Sequence, residues 1–148
     1  MASQRIEGFL SAFHSLNQLP NHNSVFSWFS LPQSSLPLPQ HLESFYAPAQ
    51  GSGVRRVQYR LLQLADWKDL TRRVLPWLLH FAPCDEQSDC VGDAFHDHLK
   101  EALGGQRPLF WMVDQRASQV NPVGDVGWDL FLFELPVQTW ALYCGWSD

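Results

Sequence analysis

The feature that most constrains this chain is a short run near its C-terminus that is apolar on both sides. Residues 128–135 read WDLFLFEL. Its apolar side chains alternate, with Trp128, Leu130 and Leu132 on one side and Phe131, Phe133 and Leu135 on the other. Because successive strand residues point to opposite faces, this run predicts a strand in the middle of a sheet that is covered on both faces. Residues 139–146 follow after Pro136-Val137-Gln138, which predicts a C-terminal β-hairpin.

The rest of the chain predicts helices and two further strands. Apolar residues at helical spacing predict helices over residues 3–16 and 39–47 and a helix capped by Asp66, which Pro76 should kink or end. Alternation predicts a strand over residues 54–64, and a nearly continuous apolar run predicts a short strand over residues 108–113. The order of elements predicts a single α+β domain over residues 1–148, with an antiparallel sheet of about four strands and helices packed on it. Four Leu-Pro pairs predict an irregular connection over residues 17–39. The cluster Val25, Phe26, Trp28 and Phe29 within it fits a short strand or a single turn.

Residues 84–105 predict an amphipathic helix with an unusual charge pattern. Ser88 is a suitable N-cap and Gly104 a suitable terminating residue. The predicted buried side consists of Cys90, Val91, Ala94, Phe95, Leu99, Ala102 and Leu103. Four acidic residues, spaced four apart, form a row that we call the acidic ridge: Asp89, Asp93, Asp97 and Glu101. Since like charges at this spacing destabilise a helix by roughly 0.2–0.5 kcal/mol per pair, the ridge indicates either a binding surface or a solvated face that favours solubility.

Charge and composition exclude several classes of function. The net charge of −5 argues against nucleic acid as the main partner, because phosphate binding needs a concentrated basic surface. No apolar run is long enough to cross a membrane, and the N-terminus lacks the pattern of a secretory signal. Three cysteines, an odd and small number, favour reduced thiols in the cytoplasm. Some of the seven tryptophans are candidates for interface anchors.

Catalytic motifs are weak throughout. Five potential zinc ligands lie within nineteen residues of each other: His80, Cys84, Cys90, His96 and His98. They lack the short C-x2-C or H-x3-H spacing of known sites, so buried cysteines and boundary histidines are the default interpretation. There is no G-x-S-x-G motif and no phosphate-binding loop. We therefore expect no enzyme activity, no metal and no cofactor.

A cluster of basic residues lies in the middle of the chain: Arg55, Arg56, Arg60, Lys68, Arg72 and Arg73. Asp66 and Asp69 are interleaved with it. This mixture predicts a solvated face, or an internal partner for acidic residues, rather than a site for RNA or another anion.

The middle of the chain resembles the SUKH superfamily, which contains bacterial immunity proteins and regulators of fungal cell-wall synthesis. The resemblance is carried by residues 38–45 (LPQHLESF), the turn at residues 51–53, the strand phrase at residues 59–64 (YRLLQL) and the helix from Asp66. It implies a protein-binding domain that often neutralises a toxin, and it brings no catalytic residues.

The leading hypothesis is a cytoplasmic protein-binding domain, with the acidic ridge meeting a basic surface and with Trp28 or Trp146 exposed as an anchor. One alternative is a small enzyme or ligand-binding domain with an aromatic pocket. Another is a structural subunit of a homodimer or larger homo-oligomer, in which the hairpin edge near Tyr143 to Trp146 pairs across a two-fold axis.

Overall fold

The computed structural model describes residues 2–18, 23–47, 58–80, 86–118 and 125–147. Its elements in chain order are α1 (Ala2–Leu16), β1 (Asn23–Ser30), α2 (Leu38–Tyr46), β2 (Leu61–Leu64), α3 (Trp67–Leu78), α4 (Glu86–Ala102), β3 (Leu109–Val113), α5 (Gln115–Ser118), β4 (Gly127–Glu134) and β5 (Thr139–Ser147). The α+β class is confirmed.

The strands form one antiparallel sheet in the order β1-β5-β4-β3-β2. The doubly apolar run is β4, at the centre of this order, as predicted. β4 and β5 form the expected C-terminal hairpin, in which Glu134 pairs with Thr139 and the Leu135 amide donates to the Gln138 carbonyl at 2.9 Å. The sheet has five strands in the described part of the chain, rather than about four.

The additional strand is β1, which contains the bulky cluster that the sequence left undecided between a strand and a turn. It pairs with β5 from Asn23 opposite Ser147 to Ser30 opposite Trp140. β5 therefore lies between β1 and β4, and the predicted free edge near Tyr143 to Trp146 is wrong. A two-fold pairing through that segment has no unpaired backbone to use.

Each face of the sheet carries its own core. On one face, Phe131 and Phe133 of β4 pack with Leu10 of α1, Leu70 of α3 and Phe95 of α4. On the other face, Leu130 and Leu132 pack with Leu42 and Tyr46 of α2 and with Tyr59. The helices α1, α3 and α4 thus cover one side and α2 covers part of the other, which is why both faces of β4 are apolar.

Two helix boundaries follow the sequence signals and one does not. Asp66 caps α3, because its Oδ1 accepts from the Asp69 amide at 2.9 Å. Pro76 lies inside α3, which ends two residues later at Leu78. Ser88 is buried within α4, which already includes Glu86, so the prediction of an N-cap at Ser88 is wrong.

The predicted strand over residues 54–64 is described only from residue 58, and β2 occupies Leu61–Leu64. Arg55, Arg56 and Cys84 lie outside the described residues.

Candidate functional site

The acidic ridge lies on the solvent-facing side of α4. Asp89, Asp93, Asp97 and Glu101 are all exposed. The opposite side of the helix is anchored in the core by the fully or nearly fully buried residues Phe95, Leu99 and Leu103. Cys90 was predicted on the buried side and is exposed instead, because the buried stripe passes through Ser88 and Gly92 in that part of the helix.

The last turn of the ridge is held by a glycine cap. The Gly105 amide donates to the Lys100 carbonyl at 2.9 Å and the Gly104 amide donates to the Glu101 carbonyl at 3.0 Å. This nested pair of bonds is a Schellman motif, and Gly104 adopts the positive φ of 64° that the motif requires. The predicted termination at Gly104 is confirmed, and the backbone at Glu101 is fixed.

The ridge makes one ion pair with the described residues around it. Arg5 of α1 makes an exposed ion pair with Glu101, with 2.9 Å between Nη1 and Oε1. Such exposed pairs contribute about 0–1 kcal/mol. Asp89, Asp93 and Asp97 have no ion pair with any residue that the structure describes.

A groove of about 450 Å³ runs between α3 and α4 beside the ridge. Lys68 and Arg72 line it from α3, and Asp89 and Asp93 line it from α4. No ion pair joins these four residues across the groove, so Lys68 and Arg72 do not serve as ion-pair partners for Asp89 and Asp93.

Gly92 sets the width of this groove. A Cβ at this position would lie 3.0 Å from Cγ2 of Thr71 on α3. The missing side chain lets α3 and α4 approach closely at this point. The sequence pattern placed Gly92 among the helix residues without indicating this crossing, because the crossing depends on which helix is the neighbour.

Neither predicted tryptophan anchor adjoins the ridge. Trp28 is only 7% exposed and stacks on Trp140, with 5.2 Å between ring centroids, so its predicted exposure is wrong. Trp146 is half-buried, and a Cβ on Gly127 would lie 2.8 Å from its Cδ1, so its indole packs over β4.

Trp67, at the first position of α3, is the tryptophan that lines the groove. It is half-buried and its ring centroid lies 4.4 Å from that of His96. In the sequence, Trp67 directly follows the cap residue Asp66, and this position at the start of α3 is the signal that its side chain extends beyond the core.

Asp129 on β4 makes polar contacts with α3 and α5 that the sequence did not indicate. Its carboxylate accepts from Trp77 Nε1 at 2.7 Å and from Gln115 Nε2 at 2.7 Å. Burial raises the pKa of Asp129, while these two donors and the charge of Arg73 lower it. Asp129 also pairs across the sheet with Cys144, whose thiol pKa is raised well above its ordinary value, mainly by burial. The hydrogen bond from Trp77 to Asp129 joins α3 to the sheet, and the raised pKa of Cys144 keeps its thiol protonated and unreactive.

The described residues contain no group of three or more His, Cys, Asp or Glu side chains that could hold a metal ion. No described helix has both the length and the apolar character that crossing a membrane requires.

Comparison of the chain with protein-family models, with curated proteins and with solved structures gives no match. The SUKH resemblance stays a prediction.

Proposed function

We propose that this chain is a protein-binding domain whose acidic ridge meets a basic surface of its partner. One observation carries the proposal. The ridge is exposed along a rigid helix, and three of its four carboxylates have no ion pair among the described residues. The like charges repel each other and weaken their own helix. Because these carboxylates are exposed to water, they can form favourable electrostatic interactions with cationic side chains of a partner.

The adjoining groove supplies an apolar contact, which the charges of the ridge do not provide. Opposite charge mainly accelerates association and improves specificity, whereas affinity depends on a few desolvated anchors. The half-buried ring of Trp67 and the side chain of Leu75 give the groove an apolar lining beside Asp93. We assign the anchor contact to this groove, since Trp28 is buried in the core.

The narrower form of the proposal is a cytoplasmic immunity protein that covers the basic substrate surface of a toxin. The SUKH resemblance of the middle of the chain supports it, and so does the net charge of −5. In this form the captured partner is basic and loses its activity when the domain binds.

The test is affinity capture from a lysate of the source cells with three proteins of matched thermal stability. They are the wild type, a ridge variant Asp93→Lys, Asp97→Lys, and a control Glu7→Lys, Glu134→Lys that has the same net charge as the ridge variant. Glu7 lies on α1 and Glu134 at the end of β4, so the control leaves the ridge intact. We expect a basic protein to be retained by the wild type and the control and lost from the ridge variant.

Association kinetics with that protein then measure the mechanism. The ridge variant should associate about tenfold or more slowly at low salt, and its rate should depend less on ionic strength. Equal capture by all three proteins, or capture of nothing by any of them, would contradict the proposal and leave the ridge as a solvated surface.

A further inference from the structure

A second cleft, of about 550 Å³, lies on the other side of Trp67 and His96 from the groove. It is formed where β2 and β3 approach the C-terminal end of α4, and Gly105 of the Schellman turn lies at its rim. Leu64 and Phe110 supply apolar lining from the two strands. None of the acidic ridge residues lines this cleft.

The charged side chains of the cleft are mostly cationic. Lys100 and Arg107 line it, both are exposed, and neither has an ion pair with a described residue. The acidic side chain that lines it is Asp66, whose Oδ1 is already engaged by the Asp69 amide at 2.9 Å as the cap of α3. Since Asp66 contributes one negative charge, Lys100 and Arg107 leave the cleft lining with a net charge of +1, in a chain whose net charge is −5.

The wall between the cleft and the groove is aromatic. The ring of Trp67 lies 4.4 Å from that of His96 and 4.7 Å from that of Phe110, between centroids, and meets Phe110 edge-on at 68°. Packing on these two neighbours holds the indole in place as a rigid, flat surface. Nε2 of His96 is buried and has no hydrogen-bond partner among the described residues.

We propose that this cleft binds a small organic oxyanion, that is, a carboxylate or phosphate group carried on a flat apolar body. Lys100 and Arg107 pair with the oxyanion, because a guanidinium and an ammonium are the side chains suited to carboxylate and phosphate oxygens. The apolar body lies against the half-buried ring of Trp67, where it removes aromatic surface from water. The charge selects anions, and the aromatic wall selects those with a flat apolar group.

The test uses phenyl phosphate as the probe, with inorganic phosphate and phenol as its two halves. Binding is followed by the indole N–H signal of Trp67 in two-dimensional NMR spectra, assigned by its loss in Trp67→Phe. The binding variant is Lys100→Gln, Arg107→Gln, and the control Lys68→Gln, Arg72→Gln removes the same charge from the neighbouring groove. All four side chains are exposed, so both variants should fold like the wild type.

We expect phenyl phosphate to shift the Trp67 signal in the wild type and the control, and to bind the Lys100→Gln, Arg107→Gln variant about tenfold or more weakly. Each half of the probe should bind more weakly than the whole. Equal weakening in both variants, binding by inorganic phosphate or phenol as tight as that of phenyl phosphate, or no shift at Trp67 would overturn the proposal. These results are independent of the acidic ridge, whose residues are unchanged in every variant.

Discussion

Asp129 is the residue at which burial and charge oppose each other most directly. Burial is the largest influence on its pKa and raises it, although hydrogen bonds from Trp77 and Gln115 act in the other direction. A carboxyl group whose pKa is raised by folding favours the folded state when protonated and disfavours it when ionised. Its contribution to stability is therefore fully present below the unfolded pKa of about 4 and is lost as the pH rises through the folded value.

We predict that the free energy of unfolding of the wild type, relative to Asp129→Asn, falls as the pH rises above about 4. The asparagine is neutral throughout, so the difference between the two proteins isolates the ionisation of Asp129. Urea melts of both proteins between about pH 3 and pH 7 measure it. If the free energy of unfolding of the wild type, relative to Asp129→Asn, instead rises with pH, then the hydrogen-bond donors and Arg73 lower the pKa of Asp129 by more than burial raises it.

At the scale of elements, the contact between α3 and α4 depends on Gly92 and Thr71. A Cβ at position 92 would be 3.0 Å from Thr71 Cγ2, which is closer than ordinary van der Waals contact. Alanine favours a helix interior by about 1 kcal/mol over glycine, so the same substitution would stabilise α4 if space were available. Removing the Thr71 methyl group creates that space.

We therefore predict a positive coupling between Gly92→Ala and Thr71→Ser. In the wild-type background Gly92→Ala should be neutral or destabilising, and in the Thr71→Ser background it should stabilise by up to about 1 kcal/mol. A double-mutant cycle from thermal or urea unfolding gives the coupling, expected to exceed about 0.5 kcal/mol. If the effects of Gly92→Ala and Thr71→Ser on the free energy of unfolding are additive, then α3 and α4 accommodate the added Cβ without strain.

For α4, the sequence predicted the features that depend only on residues close together in the chain. The periodicity predicted the exposure of Asp89, Asp93, Asp97 and Glu101, and Gly104 predicted the end of the helix. The groove could not be predicted, since Gly92 acquires its role from Thr71, twenty-one positions earlier. The predicted exposure of Trp28 is wrong for a related reason. Its ring stacks on Trp140, and only the pairing of β1 with β5 brings these two residues together.

At the scale of the whole molecule, β4 determines the layers. Its two apolar faces required cover on both sides, and the sequence predicted this correctly. The strand count was less accessible, because β1 lies among Leu-Pro pairs and its pattern fits a turn equally well. An edge strand such as β1 receives its backbone partners from the distant β5, so its existence depends on long-range pairing more than on local preference.

Because both cores share the same sheet, loosening one face should destabilise the whole molecule. Leu42 on α2 and Leu99 on α4 are fully buried on opposite faces. We predict that Leu42→Ala and Leu99→Ala each lower the free energy of unfolding by about 2–5 kcal/mol. Each should move one cooperative transition, seen equally by far-ultraviolet circular dichroism and by tryptophan fluorescence. A Leu42→Ala protein that unfolds in two steps, with the α1, α3 and α4 side melting later, would show that the face covered by α2 folds as a separate unit.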